Sequence, residues 1–71
     1  MTWWRARTKK GWLYFAYPAG EGPHQIARRA LGRYTALEEV AEPPRLQRLG
    51  VAQVEGQVVT VQGHPFELYC E

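Results

Sequence analysis

Residues 2–17 read TWWRARTKKGWLYFAY, and the fold turns on how this stretch pairs with itself. Aromatic and small side chains alternate with cations on either side of Lys10-Gly11. That period of two is strand spacing, and glycine supplies the positive φ of a tight turn. With Lys10-Gly11 as a two-residue loop, Thr8 faces Leu13, Ala6 faces Phe15 and Trp4 faces Tyr17 on one side of the ribbon. The other side sets Lys9 against Trp12, Arg7 against Tyr14 and Arg5 against Ala16. A three-residue loop would pair Thr8 with Trp12 and leave no clean apolar side, so the two-residue loop is the consistent register.

Beyond the hairpin, Pro18 to Gly22 is rich in turn residues and Pro23 suits a first helical position. Pro23, Ile26, Ala27, Ala30, Leu31 and Tyr34 recur at helical spacing, with His24, Gln25, Arg28, Arg29 and Arg33 on the opposite side. Thr35 followed by Glu38 is a capping-box signature, which predicts a second short helix through Leu37, Val40 and Ala41, broken from the first at Gly32 and ended by Pro43-Pro44. From about Leu46 the period returns to two. Two-residue loops at Glu55-Gly56 and Gly63-His64 predict a three-stranded antiparallel meander with Ala52, Val54, Val59, Val61, Phe66, Leu68 and Cys70 on one face. No internal repeat is read. The expected architecture is a single α+β domain over 1–71, ββα(α)βββ, with helices packed on one face of an antiparallel sheet. Its expected core is Val54, Val59, Val61, Phe66 and Leu68 against Trp4, Phe15, Ile26 and Leu31.

A chain of 71 residues hides only about 60% of its unfolded surface, and the single cysteine, Cys70, offers no internal disulfide. Self-association is therefore an expected route to stability, with a homodimer its simplest form. Ser, Asp and Asn are absent, which removes Ser-His-Asp catalysis, Asp-held magnesium and EF-hand loops. What remains is a poor catalytic kit, and the reading is non-enzymatic. The first residues do not form a signal peptide and no apolar run is long enough to span a membrane, so a soluble, cytoplasmic protein is expected. Arginine outnumbering lysine without any Asn resembles thermophile composition. The net charge of +2 is segregated: residues 1–48 hold all nine Lys/Arg against four Glu, whereas 49–71 hold three Glu and no Lys/Arg.

Most candidate chemistry dissolves on inspection. Gly20-Glu-Gly22 lies between a strand and a helix, but the dinucleotide fingerprint needs Gly where Gln25 stands, Glu21 repels phosphate and Pro23 removes an amide donor. His24, His64 and Cys70 lack the paired spacing of a metal site, so neither metal nor cofactor is implied. Cys70 falls on the core face beside Leu68 and reads as an inert thiol. Glu38 and Glu42 are one helical turn apart on a solvated face without a cleft to perturb either.

One constellation carries binding chemistry. Trp3, Arg5, Arg7, Lys9, Trp12 and Tyr14 share the mixed side of the hairpin, where flat rings can stack bases and interleaved cations can meet phosphates. Arg28, Arg29 and Arg33 form a second cluster that could extend the phosphate track. The reading is a module for single-stranded RNA or DNA. Its alternative is a protein-interaction or self-assembly domain in which the same rings are buried against another copy.

Overall fold

The computed structural model describes residues 2–18, 22–41 and 45–71. The opening stretch forms the expected hairpin, β1 (Thr2–Thr8) and β2 (Gly11–Tyr17), followed by one helix, α1 (Pro23–Leu31). Then come β3 (Ala36–Val40), β4 (Gln47–Val51), β5 (Gln53–Val54), β6 (Gln57–Val58), β7 (Thr60–Val61), β8 (His64–Pro65) and β9 (Glu67–Cys70). Five of these strands make one antiparallel sheet in the order β3-β1-β2-β9-β4, while β5-β6 and β7-β8 are separate two-stranded ribbons. The expected ββα(α)βββ layout, with a helical layer over a sheet, is thus overturned: the chain is mostly strand, with a single nine-residue helix among the described residues.

The second helix is where local signal and tertiary context conflict. Thr35 and Glu38 suggest a capping box, yet Ala36–Val40 runs extended beside β1. A helix this short is marginal alone because nucleation is costly, whereas the open edge of β1 offers unpaired amides and carbonyls at once. The Thr35 amide donates to the Arg7 carbonyl at 2.9 Å, and from there Leu37 lies opposite Ala6 and Glu38 opposite Arg5. Val40, placed on the helix by its spacing, pairs with Trp3 instead. Glu42 and Pro43-Pro44, and most of the Gly20-Glu-Gly22 loop, lie outside the described residues.

The first hairpin differs from its expected register by moving the loop from Lys10-Gly11 to Lys9-Lys10. Trp4 lies opposite Phe15, Arg5 opposite Tyr14, Ala6 opposite Leu13 and Arg7 opposite Trp12. Thr8 explains the choice: its hydroxyl accepts from the Lys10 amide and donates to the Gly11 carbonyl, both at 3.1 Å, with Gly11 at φ +98° directly after the turn. Each residue's partner shifts by two, so no side chain changes face.

The expected meander is replaced by a junction of three ribbons. The β5-β6 loop is Glu55-Gly56 as read, but the β7-β8 loop is Gln62-Gly63, one residue earlier than Gly63-His64. Both loops carry two successive positive φ values, 53° and 79° in one and 51° and 81° in the other, the pattern of a type I′ turn, which favours glycine second. In a continued hairpin Ala52 and Val59 would exchange both backbone bonds. Here the Val59 amide donates to Ala52 (2.9 Å), the Phe66 amide to Val59 (2.8 Å) and the Ala52 amide to Phe66 (2.8 Å), closing a ring of three. The corners are seven residues apart, and QVEGQVV (53–59) and TVQGHPF (60–66) share only Val and Gly at matching positions, yet form ribbons of the same layout. Pro65 is tolerated in β8 because it faces Thr60 at a non-hydrogen-bonded site of the ladder, where no amide is needed.

All three corners are buried, and they join Ala6, Phe15, Tyr17, Ile26 and Ala27 in the core. Phe15 and Phe66 meet with ring centroids 5.1 Å apart. Of the expected core, Val59, Phe66, Phe15 and Ile26 are buried, and Trp4, Leu31, Val61 and Leu68 pack partly against them. Val54 is exposed at 37%, because its ribbon leaves the core at the junction instead of crossing it as a sheet strand. The helix forms where its spacing predicts but ends at Leu31, so Tyr34, expected on its apolar face, lies beyond it; Pro23, Ile26 and Ala27 are buried, and Ile26 and Ala27 join the cluster that holds Ala6 and Phe15. The opposite face of the sheet carries the aromatic-cationic side of the hairpin.

Candidate nucleic-acid interface

On that opposite, outer face, strand pairing lines up side chains that the sequence reading had left as a free platform. Arg5 sits between Glu38 of β3 and Tyr14 of β2, with an ion pair to Glu38 and a 3.4 Å hydrogen bond to the Tyr14 hydroxyl. These partners, Tyr14 first and Glu38 second, hold the Arg5 pKa above its ordinary value. Tyr14 is only 3% exposed, and its hydroxyl donates to the carboxylate of Glu71. The Arg5 guanidinium lies 4.1 Å from the Trp12 ring centroid and that of Arg7 lies 5.6 Å away, a cation–π arrangement on a half-buried indole. Trp3 meets Tyr69 edge-on at 5.4 Å.

A second polar chain closes the far side of this layer. The Tyr69 hydroxyl donates to Glu67 at 2.9 Å, and Arg48 donates to the other Glu67 oxygen at 2.9 Å. The Glu67 carboxyl is held below its usual range, by the Tyr69 hydrogen bond first and by Arg48 second, while Tyr69 is raised chiefly by the same bond. The face therefore pairs Arg5 with Glu38 and Arg48 with Glu67, and Glu71 accepts from the Tyr14 hydroxyl, while Arg7 stays outside the ion pairs. Its cations largely serve to fix its own aromatic rings. A platform of three open rings is not what the sheet presents: Tyr14 is buried, and Trp3 and Trp12 already have partners.

Unneutralised charge gathers instead at the end of the sheet that carries the β1-β2 turn. Lys9, Lys10 and Arg33 line a cleft of roughly 520 Å³, where the turn, the end of α1 and the start of β5 approach one another. Arg28 and Arg33 line an adjoining hollow beside Thr35, whose amide is bonded to the backbone of Arg7. Arg7, Lys9, Lys10, Arg28 and Arg33 are all exposed, and the ion pairs among the described residues, Arg5–Glu38 and Arg48–Glu67, use none of them. Arg28 and Arg29 also complement the negative end of the α1 dipole. Lys10, a loop residue outside the expected site, belongs to this cluster, and the Lys-Lys pair beside a turn glycine is its signal in the sequence.

The structure thus divides the nine candidate residues. Trp3, Arg5 and Tyr14 belong to the self-paired outer layer. Arg7 and Trp12 stand where that layer meets the basic end, joined there by Lys9, Arg28 and Arg33, while Arg29 is exposed on α1 outside both hollows. Elsewhere, His24 Nδ1 is 3.2 Å from the Tyr34 hydroxyl and His64 starts β8. Cys70 is a free, half-buried thiol on β9. Among the described residues no three His, Cys, Asp or Glu converge as metal ligands would, and no helix is long and apolar enough to cross a membrane. The chain matches no family model, no curated protein and no solved structure.

Proposed function

We propose that this protein is a small non-enzymatic module that binds single-stranded nucleic acid at the basic end of its sheet. The supporting observation is the group of five exposed cations, Arg7, Lys9, Lys10, Arg28 and Arg33, outside the ion pairs and beside the partly exposed indole of Trp12. Phosphates gain from such a cluster through counterion release, and a strand crossing the turn brings a base within reach of Trp12. Arg5 takes no phosphate in this reading, because Glu38 already neutralises it. The test is titration with short single-stranded DNA and RNA at low salt, followed by tryptophan fluorescence and repeated at rising salt. Binding that weakens steeply with salt supports the reading; no binding to either at low salt refutes it.

A second reading, self-association through the outer face, is favoured by one observation. That face balances its charges while leaving Trp3 and Tyr69 half-exposed, a composition suited to a protein surface more than to a polyanion. Sedimentation at micromolar concentration separates the two, since only this reading requires a dimer.

A further inference from the structure

We infer that the cleft between the β1-β2 turn and the end of α1 seats a phosphorylated terminal nucleotide of the bound strand. The inference rests on the nucleic-acid reading above and assigns to the basic end a preference for strand ends over strand interiors.

The cleft joins two kinds of surface. Leu13, Leu31, Val51 and Leu68 give it an apolar lining, against which an unstacked base can lose water. Lys9, Lys10 and Arg33 supply three cations, and among the described residues no carboxylate lines the cleft. Gln53 adds an amide able both to donate and to accept hydrogen bonds. At roughly 520 Å³ the space lies within the ~300–1,000 Å³ of small-ligand sites, room enough for one nucleotide.

Charge selects the end. An internal phosphodiester carries a single negative charge, whereas a terminal phosphomonoester carries about −1.5 to −2 at pH 7, with a second pKa near 6. Three cations lining one cleft gain most from the more highly charged group, and Arg33 can hold two of its oxygens at once. The charged groups lining the cleft among the described residues are Lys9, Lys10 and Arg33, and the monoester's second ionisation near pH 6 predicts a pH dependence of binding.

The experiment compares one short oligothymidylate in three forms, with a 5′-phosphate, a 3′-phosphate or two hydroxyl ends, binding to the full chain at low salt. One phosphorylated form should bind about tenfold more tightly than the hydroxyl form at a pH near 7.5. The advantage should shrink near pH 5 as the monoester takes up a proton. It should vanish in the Lys9→Gln/Arg33→Gln variant, whose unchanged thermal midpoint confirms an intact fold, while residual binding of the hydroxyl form persists. Equal affinity for all three forms overturns the end preference and leaves the nucleic-acid reading standing. Absence of binding by every form overturns both.

Discussion

The Phe66 amide donates to the Val59 carbonyl at 2.8 Å, and Val59 passes its own amide to Ala52 instead of returning a bond to Phe66. Each corner of the junction is thereby satisfied by two different neighbours. This arrangement lets two ribbons leave a small core without stranding a buried backbone group.

Truncating a corner should therefore be severe. Phe66→Ala removes the ring packed on Phe15 and should cost about 3–5 kcal/mol, enough to unfold a domain of this size, as read by chemical denaturation. At the ribbon tips, Gly56→Ala and Gly63→Ala should each lower the midpoint, since both glycines hold positive φ. Glu55→Asn and Gln62→Asn should raise it, because Asn-Gly suits two successive positive-φ residues best.

The Arg48–Glu67–Tyr69 chain makes a pH prediction. Glu67 titrates below its ordinary value in the folded state, so its contribution to stability is present above the unfolded carboxyl pKa and is lost as pH falls through the folded one. NMR titration of its side-chain carboxyl should show the depressed midpoint. Tyr69→Phe should move that midpoint upward more than Arg48→Gln does, because the tyrosine hydrogen bond is the larger cause.

Salt dependence separates the two classes of cation. Lys9→Gln and Lys10→Gln should each flatten the slope of log affinity against log salt by about 0.7 for every lost contact to a single strand. Arg5→Gln should leave that slope unchanged and lower stability instead, since it breaks the tie among Glu38, Tyr14 and Trp12.

Stacking has its own signature. Trp12→Ala should weaken oligonucleotide binding by roughly 1–3 kcal/mol with little change in salt slope, whereas Tyr14→Ala should act through folding because that ring is buried. Tyr14→Ala protein that remains folded yet loses only binding would contradict this division.

What the sequence disclosed depended on the range of the deciding interaction. The hairpin, its two faces and α1 were legible because alternation and helical spacing act over a few residues. Residues Ala36–Val40 were not, because their conformation is set by β1, some thirty positions away. The junction was concealed by length: each ribbon strand has two residues, too few for a period of two to mark it off from a meander. At the candidate site the residue types were legible but their pairing was not. Nothing near Arg5 in the sequence announces Glu38 as its partner, and that single pairing moves the available charge from the strands to the turn.

The seven-residue spacing of Ala52, Val59 and Phe66 also bears on how such a chain can change over generations. A ribbon departs from one corner and arrives at the next, so a whole arm is a cassette whose two ends are neighbouring junction positions. Lengthening an arm by paired residues leaves its corners in place, whereas excising an arm with its corner removes a buried member of the ring. The periphery of this molecule is open to heritable growth in discrete steps, while the five-stranded sheet, whose register couples residues far apart along the chain, is not.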